Sequence, residues 1–130
     1  MTKKEERQLI FDKYGGRCAY CGDPLEKGWH KDHIEAIERK HQWDRKTRKW
    51  KVVGVSKPEL DTIDNLNPSC PSCNINKHSM TIEQFRKQIK GFIKSLNLRS
   101  TQYKIAKRYG LVEETEINVV FYFEIFKNDE

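Results

Sequence analysis

The chain lacks any long apolar run. No stretch approaches the roughly 18 consecutive apolar residues of a membrane span, and the opening residues, MTKKEER, lead into nothing apolar enough to be a secretory signal. Hydrophobic residues are also few, 36% of the 130, with a mean hydropathy of −0.87. Cysteines number only four and methionines two. These shortages exclude a membrane protein and argue against a secreted disulfide scaffold. What remains is a basic cytoplasmic (intracellular) protein, one domain's worth of chain, spanning residues 1–130. A chain of this size buries about two-thirds of its unfolded surface. With so polar a composition its core is thin and gains from a staple such as a metal ion.

Acidic residues are in deficit as well. The sequence holds 25 Lys and Arg against 19 Asp and Glu, a net +6, and its pI is near 9.1. The imbalance sits in one place. Residues 39–51 (RKHQWDRKTRKWK) carry Arg39, Lys40, Arg45, Lys46, Arg48, Lys49 and Lys51 against the single acid Asp44, while the rest of the chain has 18 of each sign. An arbitrary charge run is often a solvated loop. A run that holds the whole net charge, interleaved with Trp43 and Trp50, reads as a strip for phosphates with indoles packing or stacking beside it. The expected partner is therefore a polyanion, with no membrane involved.

Along the chain, residues 3–14 suit an amphipathic helix closed by Gly15-Gly16. Residues 29–37 suggest a short strand, and 52–55 a second one. Residues 61–73 (DTIDNLNPSCPSC) signal loops and turns. Thr81-x-x-Gln84 is a capping box, and Phe85, Ile89, Phe92, Ile93 and Leu96 continue it as an apolar stripe to Asn97. Ser100 opens a helix that closes at Gly110, and residues 117–126 (INVVFYFEIF) read as a strand. No internal repeat or flexible linker divides the chain.

The four cysteines form two pairs, Cys18-x-x-Cys21 and Cys70-x-x-Cys73, separated by 48 residues. Thiolates two residues apart in a tight turn can both reach one ion at about 2.3 Å, and four of them close a tetrahedron with no open position. That pattern reads as a structural Zn²⁺ site. The competing readings are two disulfides or a thiol redox pair, the latter needing a strand–C-x-x-C–helix setting that the turn-rich surroundings do not supply.

Between and after the pairs lie Asp32-His33-Ile34, Asp64-Asn65-Leu66, and Asn74 with Lys77 and His78 beyond. Singly, each has an ordinary explanation as a solvated turn, an Asx-turn or a helix cap. In this order, with the Cys pairs around them, they resemble the HNH endonucleases, and the flanks resemble small phage- or prophage-borne members. The motif covers residues 18–78, leaving a helical and strand extension over 81–126. The resemblance implies an α+β fold, a ββα-metal core stapled by the four-cysteine zinc site, with flanking helices and a C-terminal strand. It implies that Asp-His comes from the first strand of a hairpin, Asn65 from the loop before the helix, and Asn74 from the helix. The triad is then His33, Asn65, Asn74. One departure is the 31 residues between His33 and Asn65, which enclose the basic strip and leave the second strand's position open.

The implied activity is metal-dependent hydrolysis of DNA phosphodiester bonds, giving 5′-phosphate and 3′-hydroxyl ends. A histidine can take a proton from water near neutral pH. Asp32 and Asn74 offer the hard oxygen ligands that Mg²⁺ or Mn²⁺ prefers, and Asn65 suits the tying-down of the His33 loop. Since Asp32 and His33 would point to opposite faces of a regular strand, a bend or bulge is expected there. Lys77 and the 39–51 cations are candidate DNA contacts. His78 and His30 are further candidates for a phosphate or metal, with ordinary surface histidine the leading reading of both. The alternative to an enzyme is a non-catalytic zinc-knuckle nucleic-acid-binding module, which has no need of Asp32, His33 and Asn74 in that order.

Overall fold

A computed structural model describes residues 1–56 and 58–127, with the side chains of Glu38, Arg39, Val55 and Ser56 outside the described set. Its elements, in chain order, are helix α1 (Lys3–Asp12), strands β1 (His30–His33), β2 (Glu38–Asp44), β3 (Lys49–Ser56) and β4 (Leu66–Ser69), then helices α2 (Pro71–Lys77), α3 (Ile82–Lys90), α4 (Phe92–Arg99), α5 (Thr101–Arg108) and α6 (Tyr122–Ile125). The fold is mixed α+β with two small antiparallel sheets, β1–β4 and β2–β3.

Local chemistry accounts for the helix ends. The Thr2 hydroxyl accepts the Glu5 amide at 3.1 Å to start α1, and Glu5 and Glu6 in its first turn suit the positive end of the dipole. The capping box opening α3 is complete, with the Gln84 amide donating to the Thr81 hydroxyl and the Thr81 amide to the Gln84 side chain, at 3.1 and 3.0 Å. The expected stripe to Asn97 is not one helix. Gly91 closes α3, its amide reaching back to the Lys87 and Gln88 carbonyls. Of the stripe only Phe85 is buried, while Phe92, Ile93 and Leu96 in α4 face solvent.

The core is thin and split in two. Under α1, Ile10, Trp29 and Leu66 pack together. Beside the cysteines, Tyr20 sets its ring edge against Phe85 and Phe121, both at 5.6 Å, and the two phenylalanines stack at 5.3 Å.

Three sequence expectations are corrected by this architecture. Residues 61–73 are not loop throughout, because β4 and the start of α2 lie inside them. The 39–51 segment is not a solvated loop; it is most of a β-hairpin. The C-terminal strand does not form. Residues 117–121 run extended without a ladder partner, and the chain then turns into α6. Its backbone amides at Tyr122 and Phe123 donate to the Tyr20 and Ala19 carbonyls at 3.1 and 2.8 Å, and the buried Phe121 ring fills the core beside Tyr20. The β-branched and aromatic content that favours a strand is here used for packing against the first cysteine turn.

The position left open by the long connection is settled by register. β1 pairs with β4, His30 opposite Ser69 through His33 opposite Leu66, without irregularity. The β2–β3 hairpin is thus an insertion between two paired strands, and α2 follows β4 directly.

Candidate active site and metal centre

The metal centre builds from two tight turns. In the first, the Gly22 amide donates to the Cys18 carbonyl at 3.0 Å, at a backbone φ of +80° that glycine alone adopts freely. A Cβ there would also meet the Tyr122 ring at 3.1 Å. In the second, Cys70 caps α2, its sulfur accepting the Cys73 amide at 3.4 Å, and the Cys70 amide donates to the Cys18 sulfur at 3.4 Å. All four cysteines are free thiols, and their sulfurs lie within 4.8 Å of one another. Cys21 and Cys70 are 3.8 Å apart, close to the edge of a tetrahedron with sulfur–metal bonds of about 2.3 Å. The set can hold a metal ion such as zinc. The thiols' acidities suit that role. The hydrogen bond from Cys73 holds Cys18 down at about 4, while burial pushes Cys21 up to about 11. Cys73 is raised too, first by its bond to the Cys18 sulfur.

An open cleft of about 490 Å³ lies between β1 and α2, bordered by Asp32 and His33 from the strand and by Asn74 and His78 from the helix and its end. His33 and Asn74 are therefore brought together, with His78 beside them. His78 sits at a φ of +50° after the last turn of α2, and its Nδ1 meets the Ser79 hydroxyl at 3.0 Å. His30 is exposed and does not border the cleft.

Three devices hold His33 in place. Asn65 accepts the Glu35 amide at 2.9 Å and donates to the Glu35 and Leu60 carbonyls at 3.0 and 2.7 Å, while its own carbonyl takes the Ile34 amide. The bend anticipated at Asp32-His33 falls at Ile34 and Glu35 instead, after the strand has ended. Lys13 reaches from the end of α1 to the Leu66 carbonyl at 2.9 Å, fastening the same loop. Asp61 meets His33 Nε2 at 2.8 Å.

No protein-family model, no curated protein and no solved structure matches the chain.

Two expected roles change. Lys77 reads in the sequence as a DNA contact, but its side chain is 0% exposed. Its ammonium lies 3.0 Å from Asp32 Oδ2 and donates to the His33 carbonyl at 2.9 Å. It cannot touch a phosphate. Asp32 is 6% exposed, and the same Oδ2 accepts the Tyr20 hydroxyl, whose acidity burial and the neighbouring carboxylate suppress. Asp32 thus reaches the cleft already half committed to Lys77 and Tyr20. Removing one member of a buried ion pair strands the other. Lys77→Met is expected to cost about 3 kcal/mol of stability, measured by urea unfolding at constant metal content. Loss of less than a few tenths would show that Asp32 finds water instead.

Sequence reasoning missed Tyr20, Lys13 and Asp61. Tyr20 lay in plain view between the first two cysteines. Lys13 and Asp61 carried no local signal, because their partners are 53 and 28 residues away.

Proposed function

We propose that this protein is a metal-dependent HNH-type endonuclease that hydrolyses DNA phosphodiester bonds on a ββα-metal core made of β1, β4 and α2, with a structural Zn²⁺ in the four-cysteine set. One observation carries the reading: a single open cleft is bordered by His33 on the strand and Asn74 on the helix, with Asn65 pinning the loop between them.

In this reading His33 is the general base. With Asp61 on Nε2, that nitrogen carries the proton and Nδ1 keeps its lone pair for a water. Lys77 holds the His33 carbonyl and so fixes the strand over α2. Asn74 and the uncommitted side of Asp32 would hold a Mg²⁺ or Mn²⁺ ion, whose contribution is to stabilise the charge that develops as the 3′-oxygen leaves. Because Lys77 offsets the Asp32 charge, Asp32 and Asn74 by themselves would hold that ion weakly. The products expected are 5′-phosphate and 3′-hydroxyl ends.

The exposed cations of the β2–β3 hairpin supply phosphate contacts. Replacing Arg45, Lys46 and Arg48 together by glutamine is expected to weaken DNA binding and flatten the slope of log K against log salt by about 3 units, nearly one per lost contact. An unchanged slope would move the phosphate contacts elsewhere.

The commitment of Asp32 to Lys77 favours one rival, a non-catalytic zinc-knuckle nucleic-acid-binding module. Incubation with supercoiled plasmid in Mg²⁺, in Mn²⁺ and in EDTA separates the two. Nicked or linear product with metal and none with EDTA supports the nuclease; binding without product under every condition leaves the module.

A further inference from the structure

We propose that the β2–β3 hairpin is a ribbon that enters the major groove of double-stranded DNA and reads base edges with the face carrying Lys40, Gln42, Lys49 and Lys51. This deepens the DNA side of the reading above and rests on it for the nature of the partner, but not on any cleavage chemistry.

The hairpin stands alone. No other element packs extensively on β2 or β3, and from Lys40 to Val53 every described side chain except that of Asp44 is exposed. A bare two-stranded hairpin is marginal in water, so this one needs its own cohesion, and its register supplies it on one side only. Trp43 lies opposite Trp50 and His41 opposite Val52. The indoles meet edge-on, 5.5 Å apart at 65°, the kind of cross-strand aromatic pair that steadies a ribbon. Alternation then puts Gln42 opposite Lys51 and Asp44 opposite Lys49 on the other side; the register shifts between Lys40 and His41, so that Lys40 lies opposite Gly54, its side chain over that glycine.

Asp44 is occupied in the turn. Its side chain accepts the Lys46 amide at 2.9 Å, and its carbonyl accepts the Arg48 amide at 2.8 Å. What this face offers outward is the Gln42 carboxamide and the ammonium groups of Lys40, Lys49 and Lys51, the last of them 3.9 Å from Asp44 Oδ2. Lysine suits guanine O6 and N7, and glutamine suits adenine N6 and N7, both in the major groove. Arg45, Lys46 and Arg48, exposed at the tip, are left for phosphates.

Dimensions and faces select the partner. A seven-residue strand is about 23 Å long, and the B-DNA major groove, about 12 Å wide, admits a two-stranded ribbon. The major groove of duplex RNA is too deep and narrow for side chains to read. A single strand whose phosphates met the lysines could not stack its bases on indoles that occupy the opposite face.

The test is binding by fluorescence anisotropy without added divalent cation. A pool of randomised duplexes is first enriched on the wild-type protein. The enriched duplex is then compared with the same duplex carrying 7-deazaguanine and 7-deazaadenine, which lack only the major-groove N7 acceptor. Wild-type protein is expected to enrich a shared motif and to bind the deaza duplex about tenfold more weakly. The double variant Gln42→Ala, Lys51→Ala, with an unchanged thermal midpoint, should bind both duplexes alike. Enrichment of no motif, equal wild-type affinity for the two duplexes, undiminished sensitivity in the variant, or tighter binding of single-stranded DNA or duplex RNA would each overturn the proposal. Deaza-sensitive binding by a protein that cuts no plasmid would sink the nuclease and leave the ribbon standing. Cleavage with no deaza effect would do the reverse.

Discussion

Replacing His33 by alanine is expected to lower the rate of DNA cleavage by about 10²–10⁴, the usual worth of a positioned proton acceptor, and to leave the rest of the protein nearly as it was. The reason lies in what His33 touches. Its side chain is 16% exposed and Asp61, its only charged partner among the described residues, is 55% exposed, so alanine leaves no buried charge behind. It is not one of the four sulfur ligands, and the contact that fixes its strand, the Lys77 bond, is to the backbone carbonyl and survives the substitution. Single-turnover cleavage, metal content and DNA affinity measured on one preparation check this. A folded His33→Ala protein that cuts at close to the wild-type rate would reassign the base. His78 then becomes the candidate, because it borders the cleft and His30 does not. Asp32→Ala is a poorer probe. It would leave the buried Lys77 without its counter-charge, so lost activity could reflect lost structure.

Cys70→Ser is expected to abolish both metal binding and the folded state. Serine is a good helix cap, so the cap on α2 that Cys70 provides is retained and volume hardly changes. What goes is one of four ligands. Apparent binding free energies of structural zinc sites are about 10–16 kcal/mol and count as folding energy, against total stabilities of about 5–15 kcal/mol for ordinary domains. Here the demand is acute, because the buried apolar set beside the metal centre is only Cys18, Tyr20, Phe85 and Phe121. The expected readings are one zinc per wild-type chain, none in the variant, and loss of the cooperative unfolding transition. A Cys70→Ser protein with a native thermal midpoint, or wild-type protein folded without metal, would refute the zinc's role.

Several features were readable without coordinates because their signals are local. The capping box at Thr81 needs only residues three apart. The C-x-x-C turns carry their own glycine and proline, so the gathering of four sulfurs followed from spacing and chemistry together. The strand expected over 117–126 failed for a reason that no propensity scale holds. The amides there found the carbonyls of Ala19 and Tyr20, about a hundred residues earlier in the chain and not part of a strand.

By itself, then, the sequence determined the four-cysteine set that can hold a metal ion, the confinement of the net charge to residues 39–51 and the order of the cleft residues, since residue type, count and spacing are properties of the chain alone. The tertiary structure decided which of those residues face the cleft and which face inward. Lys77 and Lys46 are the same side chain in sequence. One is buried because β1 brings Asp32 and the His33 carbonyl over the inner face of α2, where an ammonium ion can replace its lost hydration with a carboxylate and a peptide oxygen. The other stays in water at the tip of a hairpin on which, among the described residues, no other element packs extensively. Burial of a charge depends on the partners that distant segments supply, and only the pairing of β1 with β4 supplies them here.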